Sequence, residues 1–124
     1  MLFRSLTGDS HEAWANELTT DDGKLRVGVE FAGASVTSPG TGDYVKGAGI
    51  DVGKAFTDAN PDVKWHDPVN RGYVVLTLKK AEAVADFYTV STILAKDYQT
   101  ALVASFRVKP ERGAGVGALE KLAT

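Results

Sequence analysis

Gly8-Asp9-Ser10-His11 is the run in this sequence whose residue types could do chemistry. A carboxylate and an imidazole stand two residues apart, just after the apolar Leu6. A loop leaving a strand end can aim two such side chains at one point, whereas on a helix residues two apart diverge. Asp offers hard oxygen suited to Ca, Mg, Mn or Fe, and His offers a borderline nitrogen. Gly8 permits a sharp turn or a close approach of backbone to ligand. The same residues have a plainer reading, in which Asp9 caps a following helix and His11 is a surface histidine. Four residues alone do not choose between them.

The elements that must position this run follow from pattern. His11 to Leu18 (HEAWANEL) reads as a short helix or turn, with Trp14 and Leu18 on one face. Leu25, Val27, Val29 and Phe31 alternate with Arg26, Gly28 and Glu30, which predicts a strand with the apolar set inward. Residues 32–44 are rich in Gly, Ser and Thr and read as a long functional loop. Residues 45–60 hold a helix ended by Pro61. Strands follow at 63–66, 72–78, 85–91 and 101–108, separated by turns. This order predicts a largely antiparallel second half.

Composition bounds the function classes. The chain has 124 residues, enough for one small domain. Its 14 Lys and Arg against 16 Asp and Glu give a net charge of −2, so no basic surplus points to a nucleic-acid scaffold. It has no cysteine, which removes disulfides, thiol catalysis and Cys-based metal sites from this chain. No apolar run approaches the ~18 residues of a transmembrane segment, and the start lacks the apolar stretch of a signal peptide. Leu2-Phe3-Arg4-Ser5 reads as translated sequencing adapter, so residues 1–5 are expected to be a non-native leader. Residues 111–124, with Gly113-Ala114-Gly115-Val116-Gly117, read as a flexible tail. Nucleotide motifs fail, because Gly53-Lys54 has neither the upstream glycine nor the following Ser or Thr of a P-loop.

The wider context of the Asp9 run is more specific. Residues 6–18 (LTGDSHEAWANEL) resemble the LTGDxHxxWxNxL segment of the PhoD-like alkaline phosphatases. Residues 29–40 (VEFAGASVTSPG) resemble that family's VEFxxxSVTSPG strand and loop. Asn60-Pro61-Asp62-Val63-Lys64-Trp65, Arg71-Gly72-Tyr73-Val74-Val75-Leu76, Ala85-Asp86-Phe87-Tyr88-Thr89-Val90 and Ser105-Phe106-Arg107-Val108 follow in family order. The resemblance covers roughly residues 6–110, read here as the C-terminal part of the domain.

That resemblance implies an α+β fold, an incomplete part of a four-layer α/β/β/α metallophosphoesterase sandwich. It implies a secreted or periplasmic parent that cleaves phosphate mono- and diesters with Fe and Ca ions. Asp9 and His11 match the family's metal ligands, and the other ligands are expected in an upstream half of the domain. A cation held there would stabilise transition-state charge on phosphate oxygens. This chain alone is expected to be inactive. The alternative is a non-catalytic, mostly β binding module.

Other residues carry plainer expectations. Ser35, Thr37 and Ser38 could line the substrate pocket, although satisfying loop backbone groups is the favoured role. Trp14 is expected to pack, and Asn16 to lie behind the ligands or in a turn. Arg71 is expected in a salt bridge rather than on phosphate. His66, with no partner at ligand spacing, reads as structural or exposed. Tyr73, Phe87, Tyr88 and Phe106 are expected in the core.

Overall fold

Side chains that alternate two by two build nearly all of this molecule. The computed structural model describes residues 3–111 and 115–124. Its elements are β1 (Phe3–Thr7), β2 (Ala13–Thr19), β3 (Arg26–Ala32), α1 (Thr41–Tyr44), α2 (Val52–Ala59), β4 (Val63–Asp67), β5 (Gly72–Leu78), β6 (Ala83–Val90), β7 (Thr100–Val108), β8 (Pro110–Glu111), β9 (Gly115–Val116) and β10 (Glu120–Lys121). One sheet has the order β1-β3-β2-β4 and a second the order β10-β7-β6-β5. β1 runs parallel to β3, and the other pairings among the described residues are antiparallel.

The two large sheets pack face to face. Ala13, Ala15, Val29 and Phe31 project from the first, and Ala83, Ala85, Phe87, Ala104, Phe106 and Val108 from the second. Small alanines on β2 and β6 leave room for aromatic rings between the sheets. Trp65 lies 4.8 Å from Phe87 and 6.0 Å from Phe106, and Phe31 lies 6.2 Å from Phe87, measured between ring centroids. Those separations fall in the favourable range for aromatic pairs. α2 covers part of the outer face of the first sheet, where Phe56 meets Trp14 edge-on at 5.2 Å. Among the described residues no helix is long and apolar enough to cross a membrane.

The molecule is mostly β, with an antiparallel second half. The α+β expectation is corrected in its helical share: α1 has 4 residues and α2 has 8. The expected helix over His11 to Leu18 is strand β2. Two causes are visible. His11 takes φ 65°, which stops a right-handed helix before it starts. Glu17 occupies an inward position in the alternation Ala13, Ala15, Glu17, so a buried charge masks the period of two. On β3 the inward set is shorter than expected. Val29 and Phe31 are fully buried, while Leu25 and Val27 are each 40% exposed. β5 keeps Tyr73 and Val75 on one face, but that face is outward; Val74 and Leu76 pack on the core. Tyr73 and Tyr88 stack on each other outside at 5.2 Å. Phe87 and Phe106 are core, as expected.

Both chain ends take part in strand pairing. Phe3, Arg4 and Ser5, read as leader, pair in register with Gly28, Val29 and Glu30; Met1 and Leu2 lie outside the described residues. The expected tail contributes β9 and β10, and Val116 is fully buried; Arg112, Gly113 and Ala114 lie outside the described residues. A composition rich in glycine hid specific anchors. The Leu122 amide donates to the Ser105 carbonyl at 2.8 Å, and the Leu119 amide to Glu17 Oε1 at 2.8 Å. Glu17 Oε2 lies 2.9 Å from Arg26 Nε and 3.3 Å from Lys64 Nζ. Burial would raise the Glu17 carboxyl, but the Leu119 amide, Arg26 and Lys64 outweigh it and hold it below the ordinary glutamate range.

Glu17→Gln is expected to cost about 1–3 kcal/mol, because it leaves buried donors without a charged acceptor. Urea unfolding checks this. The sign with pH follows from linkage. A depressed carboxylate contributes its full stability above the unfolded value of about 4.3 and loses it as pH falls through the folded value. The gap between wild type and variant should therefore close in acid.

Candidate functional site

The Asp9 run sits where the chain leaves β1 and turns into β2. The turn is closed by the His11 amide donating to the Gly8 carbonyl at 3.1 Å. The positive φ of His11 gives this turn its shape and costs of order 1–3 kcal/mol unless the surroundings fix it. They do fix it. The His11 carbonyl accepts from the Ser35 amide at 3.1 Å, and His11 Nδ1 lies 3.1 Å from the Pro39 carbonyl oxygen. A carbonyl can only accept, so Nδ1 carries the proton and donates. The bare lone pair of the neutral ring is then on Nε2, the arrangement a metal-ligating histidine takes when its other nitrogen is held by an acceptor.

Asp9 is exposed. It lines an open cleft of about 390 Å³ with Thr7, Ser10, Trp14, Asn16, Glu30 and Ala32. Asn16 Nδ2 donates to Glu30 Oε2 at 3.1 Å, and Trp14 Nε1 donates to Ser10 Oγ at 3.0 Å. The period-two face of β2 thus carries Trp14 and Asn16 to the same side as Glu30 of β3. The cleft therefore offers two carboxylates, Asp9 and Glu30. Among the described residues no group of three His, Asp or Glu side chains converges closely enough to hold a metal by itself.

The other expected site residues divide. Ser35 Oγ donates to the Ser38 carbonyl at 2.5 Å, so Ser35 closes the loop on itself. Thr37 is exposed and lines a different pocket, with Val36, Arg71, Tyr73 and Tyr98. Arg71 Nη2 pairs with Asp43 Oδ2 at 2.5 Å, and that contact, with the Gly40 amide, holds the Asp43 carboxyl below its ordinary range.

Glu12 and its pairing with His66 are what sequence reasoning missed; His66, read as structural or exposed, is buried. Both side chains are buried, and His66 Nε2 lies 2.6 Å from Glu12 Oε2. The Thr41 amide donates to Glu12 Oε1. Trp14 stacks on the His66 ring at 3.5 Å, and Phe56 of α2 meets it edge-on at 5.2 Å. Burial lowers the His66 pKa below the ordinary value, against the opposing pull of Glu12 and Asp67. His66 Nδ1 is buried with no hydrogen-bond partner among the described residues. The two residues are 54 apart in sequence, and only the pairing of β2 with β4 sets His66 on the face of Trp14.

A family model described as PhoD-like phosphatase matches residues 4–87. A solved structure described as "Structure of PhoD" superposes with a TM-score of 0.75 at 26% identity, covering 98% of this chain and 22% of that one. The chain therefore spans less than a quarter of the length of that solved relative. Comparison with the curated proteins gives no match.

Proposed function

Because the chain belongs to the PhoD-like phosphatase family, we propose that it is the C-terminal portion of a metal-dependent phosphatase and phosphodiesterase, with Asp9 and His11 as two of its metal ligands. The observation that carries this reading is the His11 ring. Its Nδ1 is committed to the Pro39 carbonyl, which leaves Nε2 as the ligating nitrogen on the turn that also carries Asp9. Asp9 supplies hard oxygen for a calcium-type ion, and His11 supplies nitrogen for iron. Bound cations supply charge stabilisation for a phosphate ester in its transition state. Around them Asp9 holds charge, His11 holds one tautomer, and Trp14 and Asn16 support the turn from the strand behind it. The remaining ligands lie upstream in this reading, as does the rest of the four-layer sandwich. Secretion of the parent is part of the same proposal.

The test is hydrolysis of an aryl phosphomonoester and a phosphodiester with Fe and Ca supplied. The 124-residue chain is expected to be inactive, and the chain rejoined to the upstream part active. Substantial turnover by the isolated chain would overturn the division of ligands. An inactive rejoined protein would overturn the enzyme reading and favour the binding module.

The outer face of the second sheet supports an upstream covering layer. Tyr73, Val75 and Leu102 are 45%, 43% and 40% exposed there, and together they make the kind of apolar patch that marks an interaction surface. The isolated chain is expected to bind a hydrophobic dye, and Val75→Lys with Leu102→Lys should remove most of that signal. A soluble chain that binds no dye would speak for a self-sufficient module.

A further inference from the structure

We infer that Glu12 and His66 are positioning residues that set the tautomer of His11. The inference rests on the reading of His11 as a ligand, and it concerns a device outside the ligand set.

The acceptor of the His11 proton is Pro39, in a loop that has little internal structure to fix it. The loop is tied down at four points, one of them the Gly40 amide, which donates to Asp43 Oδ2, itself paired with Arg71. At its start the Ser35 amide donates to the His11 carbonyl. Inside it Ser35 Oγ donates to the Ser38 carbonyl. At its end the Thr41 amide, two residues after Pro39, donates to Glu12 Oε1. Glu12 also lies against Gly40, where an added Cβ would meet its Cγ and Oε1 at 2.8 Å, so the backbone there has no room to shift toward it. Glu12 is therefore the buried post of the Pro39 end of the loop, beside the exposed Asp43.

His66 fixes that post. Its Nε2–H donates to the second carboxylate oxygen, and its ring is clamped between Trp14 and Phe56. The two Glu12 oxygens therefore face different partners. Oε1 holds the loop, and Oε2 is held by the sheet. A carboxylate is required because it offers two acceptor oxygens, whereas an amide offers one. The chain of contacts runs from α2 and β4 through Glu12 to Thr41, Pro39 and the His11 ring.

The protein has only two histidines, so ring nitrogen spectra of the 15N-labelled chain are assignable with a single His66→Gln variant. The rings are read at about pH 8, above the free-histidine value of about 6.5. Wild type is expected to show His11 as the Nδ1–H tautomer and His66 as the Nε2–H tautomer. Glu12→Gln should keep the fold and make Nε2–H the majority form of His11. Glu17→Gln removes a buried carboxylate from the same strand and should leave the His11 tautomer unchanged. Where Glu12→Gln does not fold, His66→Gln serves instead and carries the same expectation for His11. A folded Glu12→Gln or His66→Gln chain that retains Nδ1–H at His11 overturns the inference, as does Nε2–H in wild type. Addition of Mn2+ to the chain rejoined to the upstream part of its domain, where the full ligand set is present, separates the two readings. Broadening at His11 in wild type supports the ligand role. Its absence overturns that role and leaves the tautomer comparison as the test of positioning.

Discussion

His11→Ala, in the chain rejoined to the upstream part of its domain, is expected to lower phosphate-ester hydrolysis by about a hundredfold or more. Loss of a partner that merely orients a metal ligand costs about 10–100-fold, so loss of the ligating ring itself should cost at least the upper end of that range. The drop should come with reduced iron content, because the ring supplies the nitrogen of the proposed set. Asp9→Ala should lower calcium retention and activity while leaving iron content closer to wild type. Hydrolysis rates paired with metal analysis of the same preparations check this. Turnover of the His11→Ala protein close to wild type would end the claim that this turn carries ligands. A fall in rate with full iron content would move His11 from ligand to substrate contact.

The sequence made the turn legible and left its support hidden. Asp9 and His11 stood out as a carboxylate and an imidazole two residues apart, and only the family resemblance favoured the ligand reading over the plainer one. Trp14 and Asn16 could be found only through resemblance, since a helical reading put them on different faces. In the structure β2 places both on its outer face. The pairing of Glu12 with His66 escaped because a buried carboxylate–imidazole pair has no local signature. Their positions are linked by pairing of β2 with β4, in which Trp14 stands opposite His66, and only sheet register reveals it. Glu17 misled in the same way, as a charge where the alternation calls for an apolar residue. The C-terminal segment was misread for the opposite reason. Its anchors are backbone amides at Gly117, Leu119 and Leu122, and composition is blind to those. Strands β5, β6 and β7 were legible in place, because β-branched and aromatic residues recur along them. Which face of β5 would be buried was not, since Tyr73 and Val75 are as apolar as Val74 and Leu76.

Phe106→Ala is expected to bring the chain close to its unfolding midpoint at room temperature. Phe106 is 2% exposed and sits between the sheets, 6.0 Å from Trp65 and 6.2 Å from Phe87 by ring centroids. Truncating a buried phenylalanine costs about 3–5 kcal/mol in lost transfer energy and cavity. Here the cavity has little means of collapse. Its walls are Ala85, directly opposite on β6, and neighbouring positions whose backbones are locked in the ladder. Total stabilities of about 5–15 kcal/mol are usual for natural domains, and a chain that leaves one sheet face uncovered belongs near the low end. One such substitution can therefore consume most of the margin. The comparison that gives the result meaning is Tyr73→Ala. That ring is 45% exposed and stacks on Tyr88 outside the core, so its removal should cost about 1 kcal/mol or less. Urea unfolding followed by Trp65 fluorescence separates the two, since Trp65 reports from the interface between the sheets. If both substitutions cost the same, the outer face is as tightly packed as the inner one. The fold would then close on itself, and the case for an upstream covering layer would fall with it.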